Sequence, residues 1–198
     1  MNKKKKKINT RNTPIRERIL ETASRLFYEN GIQAVGVDKI VAEAKVAKMT
    51  LYSYFASKDD LIIEYLEKSS IAWFEEFHAY LNSKCKSDSD RLLQSFIYIK
   101  ESFGKSNIYR GSGFVNAATE ISDPKDPAHS IILEHQENLR ECFERWAFNS
   151  GFRNVRELSY LLINLFNGTI VSTMVEDFPE PITHTLNTIE IILGLYKG

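Results

Sequence analysis

The stretch VDKIVAEAKVAKMTLYSYF, residues 37–55, restricts the possible folds of this chain more than any other. Val37, Ile40, Val41 and Ala44 recur at steps of three and four, AKVA breaks the pattern, and KMTLYSYF resumes it with Leu51 and Phe55 on one side. Neither piece could stand alone, because an isolated helix in water needs roughly 12 to 15 residues. Two short amphipathic helices around a tight break must therefore lean on a neighbour, and the preceding residues supply one. Thr13 before Pro14 is a cap followed by proline at the first helical position. Ile15, Ile19, Ala23, Leu26 and Phe27 then mark one helical face, and ENG at 29–31 supplies the stop, with Gly31 able to take a left-handed conformation.

The rest of the chain continues in helices. Ser57 with Asp60 three residues later is a capping-box pattern opening a long fourth helix, and similar starts recur at Ser87 with Asp90, Asp126 before Pro127, and Asn154 with Glu157. No alternating run bounded by Asn-Gly or Gly-Gly pairs signals a strand. The expected architecture is all-α, about nine helices without internal repeat.

A helix, a tight turn and a second short helix, buttressed by a preceding helix, form a unit whose last member can enter the major groove of DNA. Lys48, Met49, Thr50, Ser53 and Tyr54 face outward and are able to touch base edges and phosphates. Any short amphipathic helix shows some polar face, so the pattern alone leaves a purely structural reading open. The charge distribution adds to the functional one. Formal net charge is zero, yet residues 1–60 hold 13 Lys and Arg against 7 Asp and Glu, leaving 13 against 19 for residues 61–198. Lys3 to Lys7 with Arg11 can be a solvated tail or an arm lying along DNA phosphates.

Residues 15–64 resemble the N-terminal DNA-binding domain of the TetR/AcrR family of bacterial repressors. The shared features are IL-x-x-A-x-x-LF-x-x-x-G, V-x-x-I with Ala44 and Val46 around the turn, and TLY-x-YF-x-SK-x-x-L. The resemblance implies that Thr50, Tyr52 and Tyr54 lie on the recognition helix, with Tyr52 and Lys58 near phosphates. Two departures stand out. Gly36 and Ala47 replace the usual Thr or Ser caps of the second and third helices; glycine is an acceptable cap, whereas alanine costs about 1 kcal/mol. The turn glycine is Lys45, which adds charge but strains a left-handed backbone by about 1 kcal/mol. Phosphate contact is then expected to lean on the lysines, Lys39, Lys45 and Lys48 among them.

In that family the remaining helices form a larger domain that binds a small molecule and pairs two subunits. GSGFVNAATEISDPKDPAHSIILEHQ, residues 111–136, resembles a motif of one subgroup, G-x-x-F-x-N-A-A-x-E, which identifies no ligand. Asn116 and Glu120 share one face of a short helix. His135 falls within the apolar stripe of Ile132, Leu139, Phe143 and Trp146. One reading makes it a buried histidine satisfied by a neighbour. The other has Asn116, Glu120 and His135 converging in a cavity around a polar group or divalent metal, although their spacing matches no recognised metal site. Phe74, Phe77, Tyr98, Phe103, Phe114, Phe166 and Asn167 complete the expected pocket set, most of the aromatics serving equally as core.

Residues 158–197 carry two broad apolar faces, Leu158, Leu161, Leu162, Leu165, Phe166 and Ile170 on one helix and Ile182, Leu186, Ile189, Ile192, Leu193 and Tyr196 on the next. Doubled by symmetry, with Gly168 and Gly194 permitting close approach, they would make a four-helix homodimer interface.

Cys85 and Cys142 match no metal or redox spacing and read as thiols in a reducing compartment. The basic N-terminus lacks the apolar segment of a secretory signal, and LSYLLINLFNGTIVSTMV carries Asn164, Asn167 and several hydroxyls that a membrane would penalise. A cytoplasmic protein without cofactor or metal is expected. No G-x-S-x-G, H-E-x-x-H, Walker loop or Rossmann glycines mark an enzyme. The expected organisation is a basic disordered tail (1–12), a helix-turn-helix domain (13–57) and a ligand-binding and dimerisation domain (58–198). Its function would be that of a homodimeric repressor on palindromic operator DNA, released by a small-molecule effector. The alternatives are an interaction protein whose basic end binds acidic partners, or an enzyme with an unrecognised site.

Overall fold

The computed structural model describes residues 13–103, 109–176 and 180–197; the basic tail 1–12 and the side chain of Phe103 lie outside the described residues. Among them the chain forms nine α-helices: α1 (Pro14–Asn30), α2 (Val37–Glu43), α3 (Lys48–Tyr54), α4 (Lys58–Lys84), α5 (Asp88–Phe103), α6 (Gly113–Glu120), α7 (Pro127–Asn149), α8 (Val155–Val175) and α9 (Glu180–Tyr196). An isolated bridge between Phe152 and Lys197 is the sole β pairing among the described residues.

Local chemistry explains most helix starts. The Thr13 hydroxyl accepts from the Arg16 amide ahead of Pro14, and the Asp60 amide donates to Ser57 Oγ at 3.0 Å. Ser87 and Asp90 form the reciprocal pair, the Asp90 amide on Ser87 Oγ and the Ser87 amide on Asp90 Oδ2. Asp126 accepts from the Ala128 amide. The start at Asn154 differs from expectation. Asn154 takes left-handed backbone, with φ +47°, and its side chain caps nothing. A side-chain cap needs extended backbone at that residue, and asparagine is among the few residues that tolerate the left-handed region instead.

The chain divides into two compact units, the first comprising residues 1–69 and 116–132 and the second residues 70–115 and 133–198. In the first, Ile19, Leu20, Ala23, Leu26 and Phe27 of α1 are buried with Ile40 of α2, Leu51 of α3, and Leu61 and Leu66 of α4, while Ile15 stays exposed. Arg16 fastens this unit: its guanidinium forms a paired hydrogen bond with Glu64 and lies 4.8 Å above the Phe55 ring. Arg25 pairs with Glu29 and Glu43 and ties α1 to α2. Lys45, in the turn between α2 and α3, has φ +52°, so the chain accepts about 1 kcal/mol of strain where a glycine would take none.

The second unit is built around α8. Leu158, Leu162, Ile163, Phe166 and Ile170 are buried, and two buried hydroxyls are satisfied locally, Thr169 donating to the Leu165 carbonyl and Thr173 to that of Ile170. By length and composition α8 could cross a membrane, but this face belongs to the protein core. Phe77, Phe96, Phe143 and Trp146 fill the space around it, and α9 packs on both α5 and α8. The opposite surface is apolar too: Leu161, Val171 and Val175 of α8 and Ile191 and Leu195 of α9 are exposed. A Cβ built on Gly168 or Gly194 would meet nothing within 4 Å.

Candidate functional site

Helix α3 presents its residues as a reading element would. Leu51 is fully buried and Phe55, its C-cap, nearly so, which anchors the seven-residue helix from below. Met49 is 66% exposed, Lys48 is exposed, and Thr50, Tyr52, Ser53 and Tyr54 are half-exposed. Neither Gly36 nor Ala47, the residues before α2 and α3, makes a side-chain cap. Lys39 and Lys45 are exposed; Lys39 donates to Asn30 Oδ1, and Lys48 to Asp38 Oδ1 at 2.7 Å. Ser53 Oγ turns back to the Thr50 carbonyl. Lys58 is half-buried, its ammonium donating to the Ile32 carbonyl at 2.7 Å, and burial holds its pKa below the usual lysine range. Lys58 therefore braces the loop between α1 and α2.

Glu120, expected in the pocket, is part of the same brace. Its carboxylate accepts the Gln33 amide at 2.7 Å and lies against Gly31, whose φ of +92° closes α1. Asn116 belongs to the same compact unit. Neither lines the cavity of the second unit, so the three polar residues do not converge there.

That cavity, of about 60 Å³, lies between α4, α5, α7, α8 and the segment before α6. Of the expected residues, Tyr98, His135, Phe166 and Asn167 line it; Trp73, Ser102, Tyr109 and Gln136 also line it, without having been singled out in the sequence. Helical spacing could have found some of them: Trp73 is four residues before Phe77, and Ser102 four after Tyr98. Phe77 is fully buried core, stacked on Trp73. Phe74 packs against Trp73 and His135, and Phe114 stacks flat on the imidazole at 3.6 Å between centroids. His135 Nδ1 is 2.9 Å from Ser70 Oγ. The phenol of Tyr98 is pushed up to about 12 by burial. Among the described residues no three His, Cys, Asp or Glu side chains gather as a metal would need.

Burial holds His135 down at about 4, below the ordinary 6.5 of an unfolded histidine. Between those values the unfolded chain binds more protons at this site. Its contribution to stability is thus whole above pH 6.5 and is lost as pH falls toward 4. Urea unfolding at pH 5 is expected to show a loss of about 2 kcal/mol relative to pH 7.5 from this group, and His135→Gln should abolish that share of the pH dependence.

Comparison with known proteins fits this geometry. Residues 19–65 match the family model described as bacterial regulatory proteins, tetR family. The HTH-type transcriptional regulator QacR of Staphylococcus aureus is 30% identical over 181 residues, covering 85% of this chain and 90% of QacR. The chain belongs to the TetR family. SCO4454, a TetR-family transcriptional regulator from Streptomyces coelicolor, has a crystal structure that matches with a TM-score of 0.85 at 28% identity, over 93% of this chain and 96% of that one. The HTH-type transcriptional repressor NemR of Escherichia coli is 25% identical over 117 residues, 59% of each chain. As a TetR-family protein this chain is a helix-turn-helix DNA-binding transcriptional regulator and not an enzyme.

Proposed function

We propose that this TetR-family protein is a repressor that binds palindromic operator DNA as a homodimer and is released when a small molecule occupies the cavity of the second unit. The observation that carries the reading is the exposure of Met49, Thr50, Tyr52 and Tyr54 on a helix anchored by a fully buried Leu51. Thr50 and Tyr54 would read base edges, Met49 would meet thymine methyl groups, and Tyr52, Lys39, Lys45 and Lys48 would hold phosphates. The lysine-rich tail adds salt-dependent affinity. Pairing is supported by the exposed apolar residues of α8 and α9, and repression by the resemblance to NemR. Two helices contribute to both compact units and would couple them: α4, which starts at Lys58, and α6, which starts beside cavity residues Gly111 and Ser112 and ends at Glu120. The ligand acts only insofar as it binds one conformation better than the other.

Substitution separates the roles. Thr50→Ala and Tyr54→Ala are expected to cost about 1–3 kcal/mol on the preferred sequence and to relax preference at particular base pairs. Lys45→Ala should weaken binding evenly across sequences and lower the salt slope by about one. Fluorescence anisotropy on a panel of duplexes checks this; unchanged affinity in all three folded variants would remove α3 from the interface.

A further inference from the structure

The walls of the cavity say what kind of molecule it suits. Trp73, Tyr98, Tyr109 and Phe166 present aromatic surface, and the polar groups among them are uncharged: Ser102, Gln136, Asn167 and His135. Among the described residues no Asp, Glu, Lys or Arg lines it. Ser102 Oγ is buried, and the Tyr98 phenol beside it is a hydrogen-bonding neighbour. A volume of about 60 Å³ holds roughly four to six waters, the space of one small ring. An ammonium or carboxylate entering would shed its hydration and find no opposite charge among the described lining residues. A neutral ring would bury apolar surface against the aromatic walls, and a single hydroxyl would hydrogen-bond with Ser102, Asn167 or Gln136.

We infer that this cavity binds a small uncharged aromatic molecule bearing one hydrogen-bonding hydroxyl, of which phenol is the simplest member. His135 is held at its back by Ser70 and Phe114, so it serves as a fixed neutral wall. The inference rests on reading the cavity as the effector site, and binding and operator release are therefore measured separately.

The test is titration calorimetry of the full-length, DNA-free protein at pH 7.5 with phenol, benzoate and benzylamine, three probes of similar ring size and different charge. Phenol is expected to bind at least tenfold more tightly than either charged probe, and Asn167→Leu and His135→Gln, each checked for native helical circular dichroism, to weaken it several-fold. Equal or tighter binding of benzylamine would make the aromatic walls a cation cage and overturn the inference. Equal or tighter binding of benzoate, absence of phenol binding at millimolar concentration, or phenol binding unaffected in both variants would also overturn it. Phenol binding that follows the predicted order without changing operator affinity would uphold the ligand class and reject the effector reading.

Discussion

Leu195→Asp is expected to leave a folded monomer where the native chain is expected to sediment as a dimer. Leu195 is 77% exposed, as are Ile191 at 66% and Val175 at 80%, so a carboxylate at 195 costs the single chain almost nothing. In a two-fold interface each substitution occurs twice. Both carboxylates would be buried without a partner, at several kcal/mol each. Exposed apolar residues on the two packed helices α8 and α9 suit an interaction site, and the unobstructed Gly168 and Gly194 leave room for another backbone. Sedimentation velocity at micromolar concentration should show the native dimer and the variant monomer. Operator affinity should fall by about 10²–10⁴, because the second half-site loses its linked partner. A variant that still sediments as a dimer would place the pairing surface elsewhere.

Gly31→Ala is expected to cost about 2–4 kcal/mol of stability. At φ +92° and ψ +152° the backbone sits in a region that glycine alone occupies readily, and a side chain there costs about 1–3 kcal/mol. The new methyl would also stand 2.9 Å from Glu120 Oε1. To escape, that carboxylate must release the Gln33 amide, at a further cost of about 1 kcal/mol. Thermal unfolding should therefore fall by roughly 5–15 °C. The Glu120→Ala background isolates the contact: part of the Gly31→Ala cost should vanish there, since no carboxylate remains to displace. An additive double variant would show that strain alone is responsible.

Features carried by neighbours in sequence were legible before the structure. Ser87 with Asp90, Asp126 before Pro127 and the helical stripe through Leu139, Phe143 and Trp146 need only local spacing, and the structure shows each of them. The positive φ of Lys45 followed from the family pattern of the turn. Asn154 did not, because its residue type suits a cap and a left-handed turn equally, and only the backbone decides. Glu120 illustrates the same limit over distance. Its helix could be read, but its partner is the Gln33 amide, 87 residues away, and no periodicity reports a contact of that range. The cavity was partly legible for a similar reason. The aromatic residues were evident, yet whether a ring fills the core, as Phe77 does, or faces space, as Tyr98 does, depends on how several helices meet.

The central proposal is that this TetR-family chain would read palindromic duplex DNA as a dimer through α3. Selection of bound sequences from random duplex DNA by the full-length protein tests it most directly. Enrichment of inverted repeats, with preferences that shift at defined positions in each half-site for Thr50→Ala and Tyr54→Ala, is the predicted result. Binding that enriches no sequence, or an enriched sequence without two-fold symmetry that both variants select unchanged, would contradict it.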